Sequence, residues 1–178
     1  MGFCVVSNVA LAAKYALEVH NLARVAIVDF DVHHGNGTED VVAGDDRILM
    51  LGFYQHPFYP GTSPTGAANV HNVPVPAHTD GSAIRDIVTT EWLTRLHAFK
   101  PQLLFISAGF DAHVQDDIGQ MALVEDDYHW MTMQLMAVAD AHASGRLVSC
   151  LEGGYNLQAL AACVDSHLRA LSGAKLLS

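Results

Sequence analysis

The sequence predicts an open α/β fold, a mostly parallel sheet with helices on both faces. Three observations predict it. The runs RVAIVD, RILMLGFY, QLLFIS and RLVSCL read as strands, and the first has no clean polar face, as a central strand buried on both sides requires. Amphipathic segments of helical period alternate with these runs. Polar and glycine-rich residues gather just beyond several of them, where open sheets collect ligands. The chain has 178 residues, which suits a single domain over 1–178, and no linker or internal repeat divides it.

The elements follow in order. Residues 8–20 form the first helix, with Val9, Ala12, Ala13, Ala16 and Leu17 as its apolar stripe and Asn8 as a cap. The strand 24–29 empties into a glycine-punctuated loop, Asp29-Phe-Asp-Val-His-His-Gly-Asn-Gly-Thr38. A short helix over 39–43 follows, and Asn36 with Glu39 has capping-box spacing. Residues 47–54 form the second strand, 55–69 a proline-rich loop and 70–75 a short strand. One long helix spans 80–99, with Ile84, Ile87, Val88, Trp92, Leu93 and Leu96 on its buried side. Strand 102–107, loop 108–117, helix 125–144, strand 146–151 and helix 157–171 complete the chain. The acidic triplet Glu125-Asp126-Asp127 suits the positive end of its helix dipole.

Nine Lys and Arg stand against 19 Asp and Glu, giving a net charge of −10 with histidines neutral. Such a field repels polyanions, so no direct nucleic-acid partner is expected, and cationic ligands fit it better. There is no 20-residue apolar run and no basic leader, so the chain reads as cytoplasmic with no membrane partner. Cys4, Cys150 and Cys163 lie far apart without a CxxC pair and read as buried thiols of a reducing compartment. His20, His97, His129, His142 and His167 fall in helices and read as surface or packing residues.

The chemistry gathers at strand ends. Asp31 and His33 are two apart, so in extended backbone they point the same way. A carboxylate and an imidazole there could share one divalent ion with Asp111 from the neighbouring crossover as third ligand, leaving a position open for water or substrate. Asp29 points inward and could orient a ligand or hold a monovalent cation. The Tyr155 hydroxyl, set among glycines, could donate to a developing oxyanion. Taken alone, Asp-x-Asp-x-His reads equally as a metal site or a polar loop. Asp111 alone reads as a helix cap, and Gly153 and Gly154 as plain turn residues.

Asp29 to Thr38, Ser107-Ala-Gly-Phe-Asp-Ala-His113 and Glu152-Gly-Gly-Tyr-Asn156 resemble the two metal motifs and the tyrosine motif of the histone deacetylase-like superfamily. The order and content are closest to class II and bacterial members, acetylpolyamine amidohydrolases among them. The resemblance implies an arginase/deacetylase-like fold and a zinc-dependent hydrolase of N-acetyl amides, with acetyl-lysine or an acetylated amine as substrate. It implies Asp31, His33 and Asp111 as zinc ligands and Tyr155 as the residue that polarises the acyl carbonyl. Asp29 would support a catalytic histidine and help bind a structural potassium ion. Gly2, Phe3, Phe58, Gly153 and Gly154 would line the substrate tunnel. Asn36 would stand behind the site as a neutral partner of the second histidine. A ureohydrolase of arginase type is disfavoured, because Ser107 to His113 offers only Asp111.

Two departures from the family pattern stand out. Gly52 occupies the place of a serine whose hydroxyl helps hold potassium. The paired-histidine motif that supplies the general base would lie upstream of Gly2, so the chain is expected to be a deacetylase domain truncated at its N-terminus. Impaired activity follows, since a general base contributes roughly 10²–10⁴-fold in rate. The alternative is a noncatalytic metal-binding module that forms a homo-oligomer or takes up a complementing N-terminal segment.

Overall fold

In a computed structural model of the chain, which describes residues 4–173, five parallel strands form one sheet in the order β3-β2-β1-β4-β5. The strands are β1 (Val25–Asp29), β2 (Ile48–Gln55), β3 (Val70–Val75), β4 (Leu103–Ala108) and β5 (Leu147–Leu151). The helices are α1 (Asn8–Glu18), α2 (Asn36–Val42), α3 (Gly81–Ile87), α4 (Thr94–Phe99), α5 (Glu125–His142) and α6 (Leu157–Ser172). No described helix is long and apolar enough to cross a membrane.

The lack of a polar face in the first two runs has its cause in layering: every residue of β1 and β2 is buried. Ala26 and Val28 of β1 face a core shared with Trp92, Tyr128, Leu135 and Cys163. Val25 and Ile27 face the opposite core, closed by Val9, Ala13 and Leu17 of α1 and Val42 of α2. Ser7, not Asn8, caps α1; its hydroxyl accepts from Ala10 N–H at 3.3 Å. The fourth run behaves differently. β5 is an edge strand whose Val148 and Leu151 are exposed, as are Leu11 and Tyr15 on α1 and Val19 just after it. The cysteines depart from expectation too: Cys163 is buried, Cys150 half-buried and Cys4 exposed.

The predicted helix over 80–99 is helical throughout but not uniform. Asp80 caps α3 by accepting from Ala83 N–H at 3.1 Å. A π-helical segment, Val88–Leu93, then joins α3 to α4, and Lys100 ends the run in the left-handed region at φ 54°. Trp92 within that segment is fully buried and stacks on Phe53 with ring centroids 5.8 Å apart.

The topology fixes where a ligand belongs. From β1 the chain proceeds outward to β2 and β3; from β4 it proceeds the other way to β5. The order therefore reverses between β1 and β4, and the crevice beyond their carboxyl ends is the favoured site in such sheets. Asp29 and Ser107 are register partners at that point. Asp31 and Asp111 lie two and four residues further along their respective chains.

Candidate functional site

Beyond β1 and β4 the ligand atoms of Asp31, His33 and Asp111 all fall within 4.8 Å of one another. His33 Nδ1 stands 2.9 Å from Asp31 Oδ1 and 3.2 Å from Asp111 Oδ2. Asp111 is fully buried; its Oδ1 accepts from Val32 N–H at 2.9 Å, while Oδ2 has no aligned hydrogen-bond donor. A buried carboxylate oxygen without such a donor costs free energy unless something else satisfies it. The set of one imidazole nitrogen and two carboxylates matches the donors of an open divalent site.

The electrostatics agree. Burial and the neighbouring Asp31 charge raise the Asp111 carboxyl above its ordinary range. Asp29 is raised as well, by burial and by Asp31, with Glu152 and Asp111 adding to it. Burial opposes charge on His33, but the Asp111 and Asp31 carboxylates beside it outweigh burial and hold the imidazole up to about 10. Without a metal, protons supply the positive charge that this crowd of carboxylates lacks. A divalent cation would supply it instead.

Glycines bring the ligands this close. A Cβ on Gly109 would stand 2.3 Å from Asp31 Oδ2, and one on Gly153 would stand 2.0 Å from Asp111 Oδ2. Gly153 N–H also donates to Asp31 Oδ2 at 3.0 Å. These close approaches bring β4 and β5 against the Asp31 loop. They are the signal in the two motifs that turn propensity alone does not explain.

A cavity of about 670 Å³ opens over the cluster, lined among others by Asp31, His33, Phe58, Gly153 and Tyr155. Phe58 stacks on His33 at a centroid distance of 5.3 Å, and Tyr59 meets the same ring edge-on at 6.0 Å. Burial and the charges of Asp111 and Asp31 push the Tyr155 phenol up to about 12, so it keeps its proton at neutral pH. Asp29 lines the floor of the cavity, and its Oδ1 accepts from Asp31 N–H at 3.0 Å. Gly154 turns away from the cavity, its φ of 135° placing a hypothetical Cβ against Leu160 and Phe110. Gly2 and Phe3 lie outside the described residues.

One expectation needs correction. Glu39 forms no capping box. It is buried inside α2, where its carboxylate accepts from Asn72 Nδ2 at 2.7 Å and from Thr65 N–H, and pairs with His34 Nε2 at 2.7 Å. The second nitrogen of His34 meets Thr62 Oγ1 at 2.8 Å. Both ring nitrogens of His34 are thus taken up by Glu39 and Thr62, and Asn36 opens α2. The monovalent-cation expectation meets a fitting feature. Asp29, Gly52 and Asn72 form one register row across β1, β2 and β3. Donation to Glu39 turns Asn72 Oδ1 toward Gly52, where it is buried without a hydrogen-bond partner and 2.7 Å from a hypothetical Gly52 Cβ. The Asp29 carbonyl lies 3.2 Å from the same point. An oxygen from β3 stands where β2 offers none.

Comparison with known proteins gives a consistent picture. The family model described as "Histone deacetylase domain" matches residues 1–171. Type-2 histone deacetylase 2 of Dictyostelium discoideum is 39% identical over 187 residues, covering 96% of this chain and 11% of its own length. Histone deacetylase 14, chloroplastic, of Arabidopsis thaliana is 38% identical over 180 residues, covering 97% of this chain and 43% of its own. The crystal structure of the HDA15 HD domain superposes with a TM-score of 0.89 at 33% identity, over 97% of this chain and 51% of that one. The chain thus spans about half, or less, of the length of these relatives.

Proposed function

The chain belongs to the histone deacetylase family, and on that premise we propose that it carries the zinc centre of a hydrolase of N-acetyl amides, of acetyl-lysine or acetylpolyamine type. The observation that carries this reading is the convergence of Asp31, His33 and Asp111 under an open cavity, with Asp111 Oδ2 buried and lacking an aligned donor.

Asp31, His33 and Asp111 hold the ion. Bound zinc supplies a Lewis acid that polarises the acyl carbonyl and acidifies a water molecule. Tyr155, protonated at neutral pH, donates its hydroxyl hydrogen to the acyl oxygen as negative charge develops there. Phe58 and Gly153 wall the cavity beside the ligands, so the aliphatic stem of an acylated amine lies against apolar surface. The attacking water needs a proton acceptor. His33 is committed to the two carboxylates and His34 to Glu39 and Thr62, so neither takes that role, and Asp29 beside them would support the group that does. Potassium would sit against the Asp29 carbonyl and Asn72 Oδ1.

Zinc titration against a chromophoric chelator tests the reading. One equivalent should bind, and His33→Ala should weaken binding at least about 100-fold, as expected for loss of one of three protein ligands. Binding that His33→Ala leaves unchanged refutes it. Hydrolysis of an acetyl-lysine peptide set against N-acetylspermidine then distinguishes the substrate classes.

The noncatalytic association module has its own supporting observation, the exposed Leu11 and Tyr15 of α1, Val19 just after it, and Val148 and Leu151 on edge strand β5. Unpaired edges and apolar patches favour partners. Sedimentation equilibrium showing a stable monomer would count against it.

A further inference from the structure

We propose that Asp116 is a positioning residue for Tyr155, holding that side chain over the metal cluster through its main chain; the inference rests on the hydrolase reading above. Asp116 lies in the loop after β4, five residues beyond Asp111. Its carboxylate accepts four main-chain N–H groups. Oδ1 takes Ile118 at 2.9 Å and Gly119 at 3.2 Å, which fixes the carboxylate within its own loop. Oδ2 takes Tyr155 at 2.7 Å and Asn156 at 3.2 Å, about forty residues away.

The loop between β5 and α6 is therefore pinned at two points. At one end Gly153 N–H donates to Asp31 Oδ2, and Gly153 O accepts from Phe110 N–H at 2.8 Å. At the other end Asp116 holds Tyr155 and Asn156, and Asn156 in turn caps α6 by accepting from Gln158 and Ala159. Between the pins lies Gly154 at φ 135°, a conformation open to glycine and a natural joint. Without Asp116, the N–H groups of Tyr155 and Asn156 lose their acceptor, with those of Ile118 and Gly119, and the joint is free to swing Tyr155 away from the ligands. The position also suits the charge, because a carboxylate is favoured beside the first turn of a helix. With four N–H groups already on it, this carboxylate is occupied as an anchor and is poorly placed to bind a cationic substrate.

The test uses Asp116→Asn, whose amide nitrogen cannot accept, with Asp117→Asn as a charge-matched control at an exposed neighbour. Hydrogen exchange at the Tyr155 and Asn156 amides should speed up about 10-fold in Asp116→Asn, while β4 amides keep their protection. Zinc affinity should stay within about 2-fold, since no ligand is touched. Affinity of the zinc-loaded chain for a short aliphatic hydroxamate should fall by the same factor as in Tyr155→Phe. The double variant should lose no more, because both changes remove one interaction. Asp117→Asn should match the native chain throughout. Unchanged exchange at Tyr155 and Asn156, or a hydroxamate loss that adds to that of Tyr155→Phe, overturns the proposal. Asp116→Glu, which retains acceptors but displaces them by one methylene, carries the same comparison should the asparagine variant not fold. Hydroxamate affinity indifferent to Tyr155→Phe would overturn the hydrolase reading instead, and the exchange measurement would then decide the anchoring by itself.

Discussion

Gly153→Ala adds one methyl group to a residue that is no metal ligand, and the geometry predicts that it disables the centre. The new Cβ would stand 2.0 Å from Asp111 Oδ2 and 2.7 Å from both Asp111 Cγ and Asp31 Oδ2. Ordinary contact begins near 3.4 Å, so the Asp111 oxygen must retreat by about 1.4 Å. Metal–ligand distances tolerate only about ±0.2 Å. Asp111 is fully buried and has no solvent to move into. Gly153 is not in the left-handed region, so the alanine is strained by volume and not by its backbone. Groups packed against metal ligands typically change affinity about 10–100-fold when replaced, and a displacement of this size belongs at the upper end. We expect zinc affinity to fall about 100-fold, measured by competition with a chromophoric chelator. Urea unfolding of the metal-free protein should show a smaller cost, about 1–3 kcal/mol, typical of overpacking. A folded Gly153→Ala protein that binds zinc within 3-fold of the native chain, a threshold of about 0.7 kcal/mol, would show that these carboxylates do not stand where an ion needs them.

Two further outcomes follow from buried polar clusters away from the metal. Burial lowers His167 to about 4 against an ordinary 6.5, with its nitrogens on Thr132 Oγ1 at 2.7 Å and Ser149 Oγ at 2.9 Å. A base with a lowered folded value stabilises fully above pH 6.5 and loses that contribution as pH falls from 6.5 toward 4. The loss is about 3 kcal/mol by linkage, and urea midpoints in His167→Gln should be flatter over that window; equal slopes in both proteins would refute this. Burial alone would raise the Glu39 carboxyl, but hydrogen bonds from Thr65, His34 and Asn72 outweigh it and hold it low. Glu39→Ala strands those partners and should cost about 1–3 kcal/mol of unfolding free energy, the range for buried polar groups left unsatisfied. A loss under 1 kcal/mol, the typical net value of one hydrogen bond, would contradict the arrangement.

The parts of the fold that were legible are those whose cause is local. β1 and β2 read as buried strands because helices cover both faces, so neither face needs polar residues. RLVSCL is as apolar, yet β5 is an edge with Val148 and Leu151 exposed. An apolar run records what a strand packs against somewhere, and strand order is set by contacts far along the chain. The π-helical turn around Trp92 was likewise hidden, since periodicity over 80–99 is nearly the same with one widened turn. Within the site, Asp31 and His33 announced themselves through a two-residue spacing at a strand end. Asp111 became a ligand candidate only through its neighbouring motif.

Glu39 and Asp116 mark where such reading stops, and they do so for different reasons. Glu39 satisfied the arithmetic of a capping box, but three partners won its carboxylate: His34, and Thr65 and Asn72, which lie 26 and 33 residues further on. A buried carboxylate with several donors outcompetes a single exposed cap, because its unmet desolvation would cost more than the cap contributes. Asp116 gave no signal at all. Its partners are main-chain N–H groups, which every residue but proline carries, so residue identity at 118, 119, 155 and 156 does not betray the contact. The ligands of such a centre can be read from side-chain chemistry, while the anchors that aim its tyrosine are written into backbone geometry.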